Sequence, residues 1–500
     1  MRGMPALPAA IFTAQQVRDL DRRAIEELGI PGYELMTRAG HATLNALRAL
    51  WPATRSLCVL CGPGNNGGDG YVIARVARAQ GLRTVVVALA DPGALSGDAR
   101  HAYDAFIAAG GHSEPWSPHV LDADVLVDAI FGTGLTREVA GPQAEVMRVV
   151  NASRRPIVAV DVPSGLHADT GAVLGIAVRA DATVTFIGRK LGCYVGQGRE
   201  LTGRVVFDDL GVPRETYHGM AATASLLDES SVAAVLPRRP RTAHKGLHGH
   251  VLVIGGGPGM PGAARLAGEA ALRAGAGLVT VATHPANLGA LAGRPELMCV
   301  GVATADELAP ALERATVLAL GPGLGQSAWS SELHDVALAA GKPMVVDADA
   351  LNLLSNRSVR RDDWILTPHP GEAARLLGIS IAAVQGDRLA AAAALQQRYG
   401  GTAVLKGAGT IVQAAGRLPA ICDRGNPGMA VAGMGDVLTG VIAGIAAQIA
   451  NAGGDLARAA EAGVLVHAQA GDLAARTGER GMLASDVLEQ VRVCVNLPPA

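Results

Sequence analysis

Leu57-Cys-Val-Leu-Cys-Gly-Pro-Gly-Asn-Asn-Gly-Gly-Asp-Gly70 decides how the first half of this chain folds. Its first five residues, Leu57–Cys61, form a continuous apolar run of the kind buried on both faces of a parallel sheet. The glycine-rich stretch follows at once and opens a helical pattern over Gly70–Gln80. Strand, tight loop and helix in that order form the unit with which open α/β sheets bind ligands at their strand ends. Glycines let backbone approach a ligand closely, and free N–H groups at a helix start attract phosphate. A turn needing positive φ would account for one or two glycines. Five of them, with Asn65, Asn66 and Asp69, favour a binding site.

The same rhythm runs outward in both directions. Strand patterns fall at Thr84–Leu89, Val125–Ala129, Ile157–Val160, Ala182–Phe186 and Val205–Phe207, with a helical pattern over Gln143–Asn151. In the second half they fall at His250–Ile254, Leu278–Ala282, Val317–Leu320, Met344–Val346, Trp364–Leu366, Ala403–Leu405 and Thr410–Val412. Helices Gly435–Ile449 and Leu456–Thr477 follow. The class is α/β, with two three-layer αβα domains built on mostly parallel sheets. A chain of 500 residues exceeds what one core of about 250–300 residues organises. Arg214–Lys245 carries little strand pattern and ends in Pro237-Arg-Arg-Pro240, which sets domains at 1–225 and 226–500 and makes the region near 225 a connector. Neither half copies the other, so the chain reads as a fusion.

Composition narrows the function. A net charge of -2 leaves no basic footprint for nucleic acid or an anionic membrane. No apolar run approaches the ~20 residues of a membrane span. Met1–Ala10 lacks the order of a secretory signal, so a cytoplasmic protein is expected. Cys58 and Cys61 sit in an apolar run with no second pair, and read as buried strand residues rather than a metal or redox site.

Two further strand ends of the first half are polar. Asp128 leads into Ile130-Phe-Gly-Thr-Gly-Leu135, and Asp161 leads into Val162-Pro-Ser-Gly165. Either aspartate alone could cap a turn. Two, each before a loop of small residues, are expected to point into the crevice beside the first glycine loop. Together with Thr185-Phe-Ile-Gly-Arg-Lys190, Gly203 and Gly211-Val-Pro213, these blocks make residues 10–215 resemble the NAD(P)H-hydrate epimerase family, a Rossmann-like fold. The resemblance implies that Asn65, Asn66, Gly67, Gly68, Asp69, Gly132, Thr133, Gly134, Leu135, Thr136, Arg137, Glu138 and Asp161 line the hydrate site. It also implies that Asn66, Asp128 and Ser164 hold a potassium ion (K+). Asp161 is the expected acid/base, if the crevice raises its pKa. Lys190 reads as an ordinary surface lysine ahead of a substrate contact.

The second half turns on Asn426-Pro-Gly-Met-Ala-Val-Ala-Gly-Met-Gly-Asp436, which enters an apolar helix. Glycine turns before a helix start make a nest of N–H donors for negative charge. Asp436 at that mouth can take a proton from a hydroxyl attacking a phosphoryl group, a step that needs mainly positioning and charge stabilisation. The bland alternative is an N-cap aspartate. Gly255-Gly-Gly-Pro-Gly-Met-Pro-Gly-Ala263, Gly321-Pro-Gly-Leu-Gly325, Asp347-Ala-Asp-Ala-Leu-Asn352, Leu366-Thr-Pro-His-Pro-Gly-Glu372 and Leu405-Lys-Gly-Ala-Gly-Thr410 each follow a strand pattern and so converge on one rim. Gly321–Gly325 is not a Walker P-loop, since no Gly-Lys-Ser/Thr follows.

With His244-Lys-Gly246, Ala271–Val279 and His467-Ala-Gln-Ala-Gly-Asp472, residues 230–495 resemble the ribokinase-like ADP-dependent NAD(P)H-hydrate dehydratases. That implies hydrate contacts at Ala263, Gly323, His369 and Asp436. It implies nucleotide contacts at Lys406, Gly407, Ala408, Gly409, Thr410 and Gly435, with ADP as co-substrate and Mg2+ beside it. Where the family usually has Thr-Gly-Gly-Thr-Gly-Asp, this chain has Val431-Ala-Gly-Met-Gly-Asp436, two hydroxyls fewer. The implied partners are hydrated NADH and NADPH, and a homo-oligomer is expected. The family acts on the S hydrate only, which gives an epimerase reason to be fused to it. Two other readings compete: a ribokinase-like kinase making a lasting phosphoester of a vitamin alcohol, and a non-catalytic binding module in the first half. The retained Asn66, Asp128, Asp161 and Ser164 speak against the latter.

Overall fold

The computed structural model describes residues 9–450 and 453–496. The N-terminal stretch read for a signal therefore lies mostly outside the described residues. The chain divides into two compact units, Met1–Ser225 and Leu226–Ala500.

The first unit holds a seven-stranded sheet, all parallel, in the spatial order Ser113–Glu114, Arg83–Ala88, Ser56–Cys61, Val125–Ala129, Ile157–Val160, Ala182–Phe186 and Arg204–Asp208. The central strand alternates its side chains between two cores. Leu57, Val59 and Cys61 join Leu44, Tyr71, Val72 and Phe106, whereas Cys58 and Leu60 join Ala144, Met147 and Val150. Helices therefore cover both faces, and the parallel strands read as unbroken apolar runs for that reason. From the centre the chain first moves outward to one edge, then returns to lay Val125–Ala129 against the other side of Ser56–Cys61. That reversal is the switch point at which such sheets open a crevice.

Nine strands make the sheet of the second unit. Met298–Gly301, Leu278–Thr283, His250–Ile254, Val317–Leu320, Met344–Val346, Trp364–Leu366 and Thr402–Leu405 run parallel in that spatial order. Thr410–Ala414 and Ala420–Cys422 then add antiparallel. The switch point falls between His250–Ile254 and Val317–Leu320. Val251, Val253, Val317, Ala319, Val345, Ile365 and Val404 face one core with helices Pro261–Ala274, Met434–Ala450 and Leu456–Ala474. The first two of these helices meet backbone to backbone: a Cβ at Gly440 would lie 2.1 Å from the Ala267 carbonyl oxygen. At the start of Met434–Ala450 the approach continues, where a Cβ at Gly433 would lie 2.7 Å from Leu266. No described helix is long and apolar enough to cross a membrane.

Three expectations change. The first glycine-rich stretch is not a loop before a helix, because the helix already begins at Asn65 and runs to Ala79. All of its glycines but Gly64, which faces open space, are there for close packing, and none adopts positive φ. A Cβ at Gly62 would lie 1.8 Å from the Ile130 oxygen, one at Gly67 2.1 Å from the Gly62 oxygen, and one at Gly70 2.8 Å from Ala129. The region near residue 225 is not a bare connector. Ala224–Leu226 is a strand with Ala224 fully buried; Ser225 pairs with Ala10 in the first unit, and the Leu227 N–H bonds to Ile421 in the second.

Candidate active sites

The crevice of the first unit is a cavity of about 610 Å3 at its switch point. The Gly62 N–H bonds to the Ala129 carbonyl at 3.0 Å and draws the two strand-end loops together. Helix Asn65–Ala79 starts on Gly64 with no side-chain cap, so its first N–H groups have no helical partner and face the loops. Asn65, Asn66, Asp69, Gly132, Thr133, Gly134, Leu135, Thr136, Arg137 and Asp161 line the cavity. Gly67, Gly68 and Glu138 do not. Gly68 is packed against Met36 and Ala99 instead.

Asp161 sits at the end of Ile157–Val160 with a left-handed backbone, φ 67°, and Ile187 nearby has φ 61°. Non-glycine residues persist in that region only where the surroundings over-determine them. The surroundings here are a hydrogen-bond cluster. Thr185 Oγ1 and the Phe186 N–H donate to Asp161 Oδ1 at 3.2 and 3.3 Å, and the Lys190 ammonium pairs with the same oxygen while donating to the Phe186 carbonyl at 2.8 Å. Lys190 is 1% exposed, so the surface-lysine reading is wrong. Burial of its aliphatic stem was not visible in sequence because the strand Arg189–Lys190 has only two residues.

Asp128 also departs from expectation. It is fully buried behind the cavity and does not point into it. Its carboxylate accepts from Ser164 Oγ at 2.5 Å and the Ser164 N–H at 2.8 Å, and burial, eased by these bonds, raises its pKa to about 6. Helix Ala14–Arg22, which sequence reasoning passed over, forms another wall through Val17, Arg18 and Asp21, with Arg18 reaching the Thr133 carbonyl. The available signal was the Thr13–Gln16 capping box at the helix start.

In the second unit the expected strand ends do share a rim. Gly256 and Gly257 donate to the carbonyls of Pro322 and Gly323, joining the two switch-point loops, and Asp349 accepts from the Gly325 N–H. The rim is organised by an ion pair between Lys406, an expected nucleotide contact, and Asp347, to which the sequence assigned no role. Lys406 Nζ lies 2.6 Å from Asp347 Oδ1, and Thr439 Oγ1 donates to Asp347 Oδ2 at 2.8 Å. A Cβ at Gly435 would lie 3.3 Å from Lys406 Nζ and 3.4 Å from Asp347 Oδ2. The mouth of helix Met434–Ala450 therefore sits directly on this pair. Asp436 is in the first turn and is not the cap. Burial, then the Asp347 charge, raises its pKa to about 7 against the opposing pull of Lys406. Burial works against the charge of Lys406, but Asp347, Glu372 and Asp436 outweigh it and hold its pKa above the usual value.

His369 caps helix Pro370–Leu377, its Nδ1 accepting from the Gly371 N–H at 2.9 Å, while Glu372 accepts the His369 N–H at 2.7 Å. The structural role and a place on the rim are thus compatible. Gly407 and Gly409 have φ 135° and 70°, a turn only glycine makes cheaply. Behind it, the buried Arg388 donates to the carbonyls of Leu405 and Lys406 at 3.2 and 3.1 Å. Asp472 holds Asn426 and Gly425 in place. Met434, one of the two replaced threonines, is buried in the helical core, and Val431 is exposed. A cavity of about 1670 Å3 in this unit, among Glu229, Arg239, Arg273 and Arg294, contains none of the rim residues.

A family model described as NAD(P)H-hydrate dehydratase matches residues 251–492, and one described as YjeF-related protein N-terminus matches residues 32–192. The bifunctional NAD(P)H-hydrate repair enzyme of Coxiella burnetii is 47% identical over 97% of this chain and 99% of its own length. This chain belongs to the bifunctional NAD(P)H-hydrate repair enzymes. The Escherichia coli member is 45% identical over 98% of this chain and 95% of its own. Among solved structures, a Streptococcus mutans protein without assigned activity aligns with 54% of this chain and 98% of its own at 31% identity and a TM-score of 0.50. An ADP/ATP-dependent NAD(P)H-hydrate dehydratase from Bacillus subtilis, co-crystallised with ATP and Mg2+, aligns with 55% at 28% identity and a TM-score of 0.49.

Proposed function

We propose that this enzyme repairs hydrated NADH and NADPH in the cytoplasm, its first unit exchanging the R and S hydrates and its second dehydrating the S form at the expense of ADP. The observation that carries the reading is the pair of switch-point rims, each built round a buried lysine–aspartate ion pair with a further carboxyl beside it. In the second unit, Asp436 takes the proton of the C6 hydroxyl as its oxygen attacks the terminal phosphoryl group of the nucleotide, releasing AMP. Phosphate leaves C6 where hydroxide would not: the ring nitrogen pushes it out, and loss of a C5 proton restores the dihydronicotinamide. Lys406 and the open N–H groups of Gly435 and its neighbours offset the charge that develops. Ala263, Gly323 and His369 are assigned to the hydrate. Lys406–Thr410 with Gly435 are assigned to the nucleotide and its Mg2+. Assembly into a homo-oligomer belongs to the same reading and is checked by sedimentation. Incubating an R and S mixture with and without ADP and Mg2+ tests the whole: both epimers should be consumed with nucleotide, and without it they should only interconvert. A phosphoester that accumulates would favour the kinase alternative.

Arg388 bears on the nucleotide assignment. By drawing the carbonyls of the 405–409 turn inward, it leaves the amide groups of that turn for an anion. Arg388→Met removes those bonds and strands the carbonyls. The expected result is a nucleotide KM raised about tenfold, equivalent to ~1.4 kcal/mol, with kcat little changed. A KM equal to the parent's would remove the turn from the site.

In the first unit, Asn66, Asp128 and Ser164 form an all-oxygen donor set with one carboxylate, which suits a monovalent cation. Asn66 is 8% exposed and its amide nitrogen has no partner, so turning the amide over presents its oxygen instead. These residues fit potassium, which when bound would keep Asp128 ionised and stiffen the loops. Replacing potassium by tetramethylammonium is expected to slow epimer exchange and lower the melting temperature of the parent but not of Asp128→Asn. Equal behaviour of the two proteins in both salts would rule the site out.

A further inference from the structure

Four aspartates line the first cavity, and three of them, from three different elements, share the field of Lys190: Asp21 from helix Ala14–Arg22, Asp69 from helix Asn65–Ala79, and Asp161 from the end of Ile157–Val160. The other charged groups on its wall are Arg18, Asp98, Arg137 and Lys190. Arg18 is engaged by Gln15 and the Thr133 carbonyl, and Arg137 is exposed. Lys190 is the buried cation, and its ammonium is given to Asp161 and the Phe186 carbonyl. Asp21 and Asp69 are half-buried and make no hydrogen bond or ion pair to any described residue. One buried ammonium against Asp21, Asp69 and Asp161, with Asp98 adding a fourth carboxyl on the wall, cannot support them all as anions, so a proton is held among them.

Resting on the assignment of this cavity to hydrate epimerisation, we infer that Asp21 is the second proton carrier of the reaction, acting with the Asp161 carboxylate. Inverting C6 requires the hydroxyl to leave one face and water to return to the other. One carboxyl gives its proton to the departing oxygen while the C6–O bond breaks, the N1 lone pair forms the C=N bond, and water is released. A carboxylate then takes a proton from the water that adds to the opposite face, and N1 recovers its lone pair. Nothing is oxidised or reduced. The two carboxyls have exchanged protonation states, as an isomerase that runs in both directions needs.

The surroundings sort the three aspartates. Asp161 is paired with the buried Lys190 ammonium. Asp69 is driven far above its ordinary pKa by burial and by the Asp161 and Asp21 charges, which makes it a lasting hydrogen-bond donor but a poor acid. Burial raises Asp21 to about 6, with Lys190 opposing and Asp161 adding, close to where a proton moves readily in either direction near neutrality.

The test uses the full chain without nucleotide, starting from one pure epimer and following exchange by NMR in heavy-oxygen water. Asp21→Asn is expected to lower kcat for exchange about 10²-fold and label incorporation at C6 in parallel, while Asp21→Glu keeps at least about a tenth of parental activity. Calorimetric melting of the first unit is recorded for each variant, and Asp21→Ser replaces the asparagine variant if that transition is lost. Exchange within about threefold of the parent in a folded Asp21→Asn protein would overturn the inference. Asp161→Asn separates the two claims. If it is inactive and Asp21→Asn is active, only the role of Asp21 falls; if both are active, the cavity is not the epimerase site.

Discussion

Asp436→Ala is expected to lower nucleotide-dependent dehydration of the S hydrate by about 10²–10⁴-fold, the usual cost of losing a positioned base. Epimer exchange should be untouched. Asp436 makes no structural hydrogen bond and stands in an open first turn, so its removal leaves the helix and the Asp347–Lys406 pair in place. The mutant is therefore expected to melt close to the parent. A pH profile adds an independent readout. A carboxylate acts as a base only when deprotonated, and burial with the Asp347 charge raises this one to about 7. Dehydration should accordingly fall tenfold per pH unit below about 7, where an ordinary aspartate would hold the rate down to about 4. Parental turnover in Asp436→Ala, or an acid limb near 4, would remove the residue from the chemistry.

Asp161 carries the second large effect. Asp161→Ala would leave the Lys190 ammonium buried without its anion, and breaking such a pair by removing one partner costs about 3–5 kcal/mol. Asp161→Asn is the better variant, because its amide oxygen can still accept from Lys190, Thr185 and the Phe186 N–H. It is expected to slow epimer exchange by at least about 10²-fold while S hydrate supplied directly is dehydrated at the parental rate. The decisive measurement is stereospecific monitoring of both epimers for both mutants. If Asp161→Asn removed dehydration of the pure S hydrate as strongly as Asp436→Ala does, the two reactions would share one site.

The sheets were legible because fully covered parallel strands must be apolar on both faces: the runs at Val125–Ala129, Ile157–Val160 and Val317–Leu320 appear at the residues read from sequence. Short strands such as Ser113–Glu114 and Ala224–Leu226 carry no such run and were missed, as was the edge strand Met298–Gly301, whose brief apolar run is only partly buried. Glycine clusters pointed to the two rims correctly, but for a different local reason in the first unit. There the glycines admit the Ile130 backbone and neighbouring helices, and the ligand-facing groups are the ones between them.

What sequence alone determined is the architecture and its polarity: which runs are central strands, which loops follow their carboxyl ends, and therefore which residues can meet on one rim. Those properties follow from local periodicity and from the right-handed winding of strand–helix–strand units. Only the tertiary structure decided the electrostatics. Lys190 looks in sequence like any solvated lysine and Lys406 like a contact of the nucleotide alone; the first proves to be buried and the second half-buried, each against an aspartate, 29 and 59 positions away. Asp128 and Asp161, equivalent as strand-end carboxylates, part company because one bonds a buried serine and the other a buried ammonium. Charge and protonation depend on what lies within a few ångströms in space, and chain order does not encode that separation.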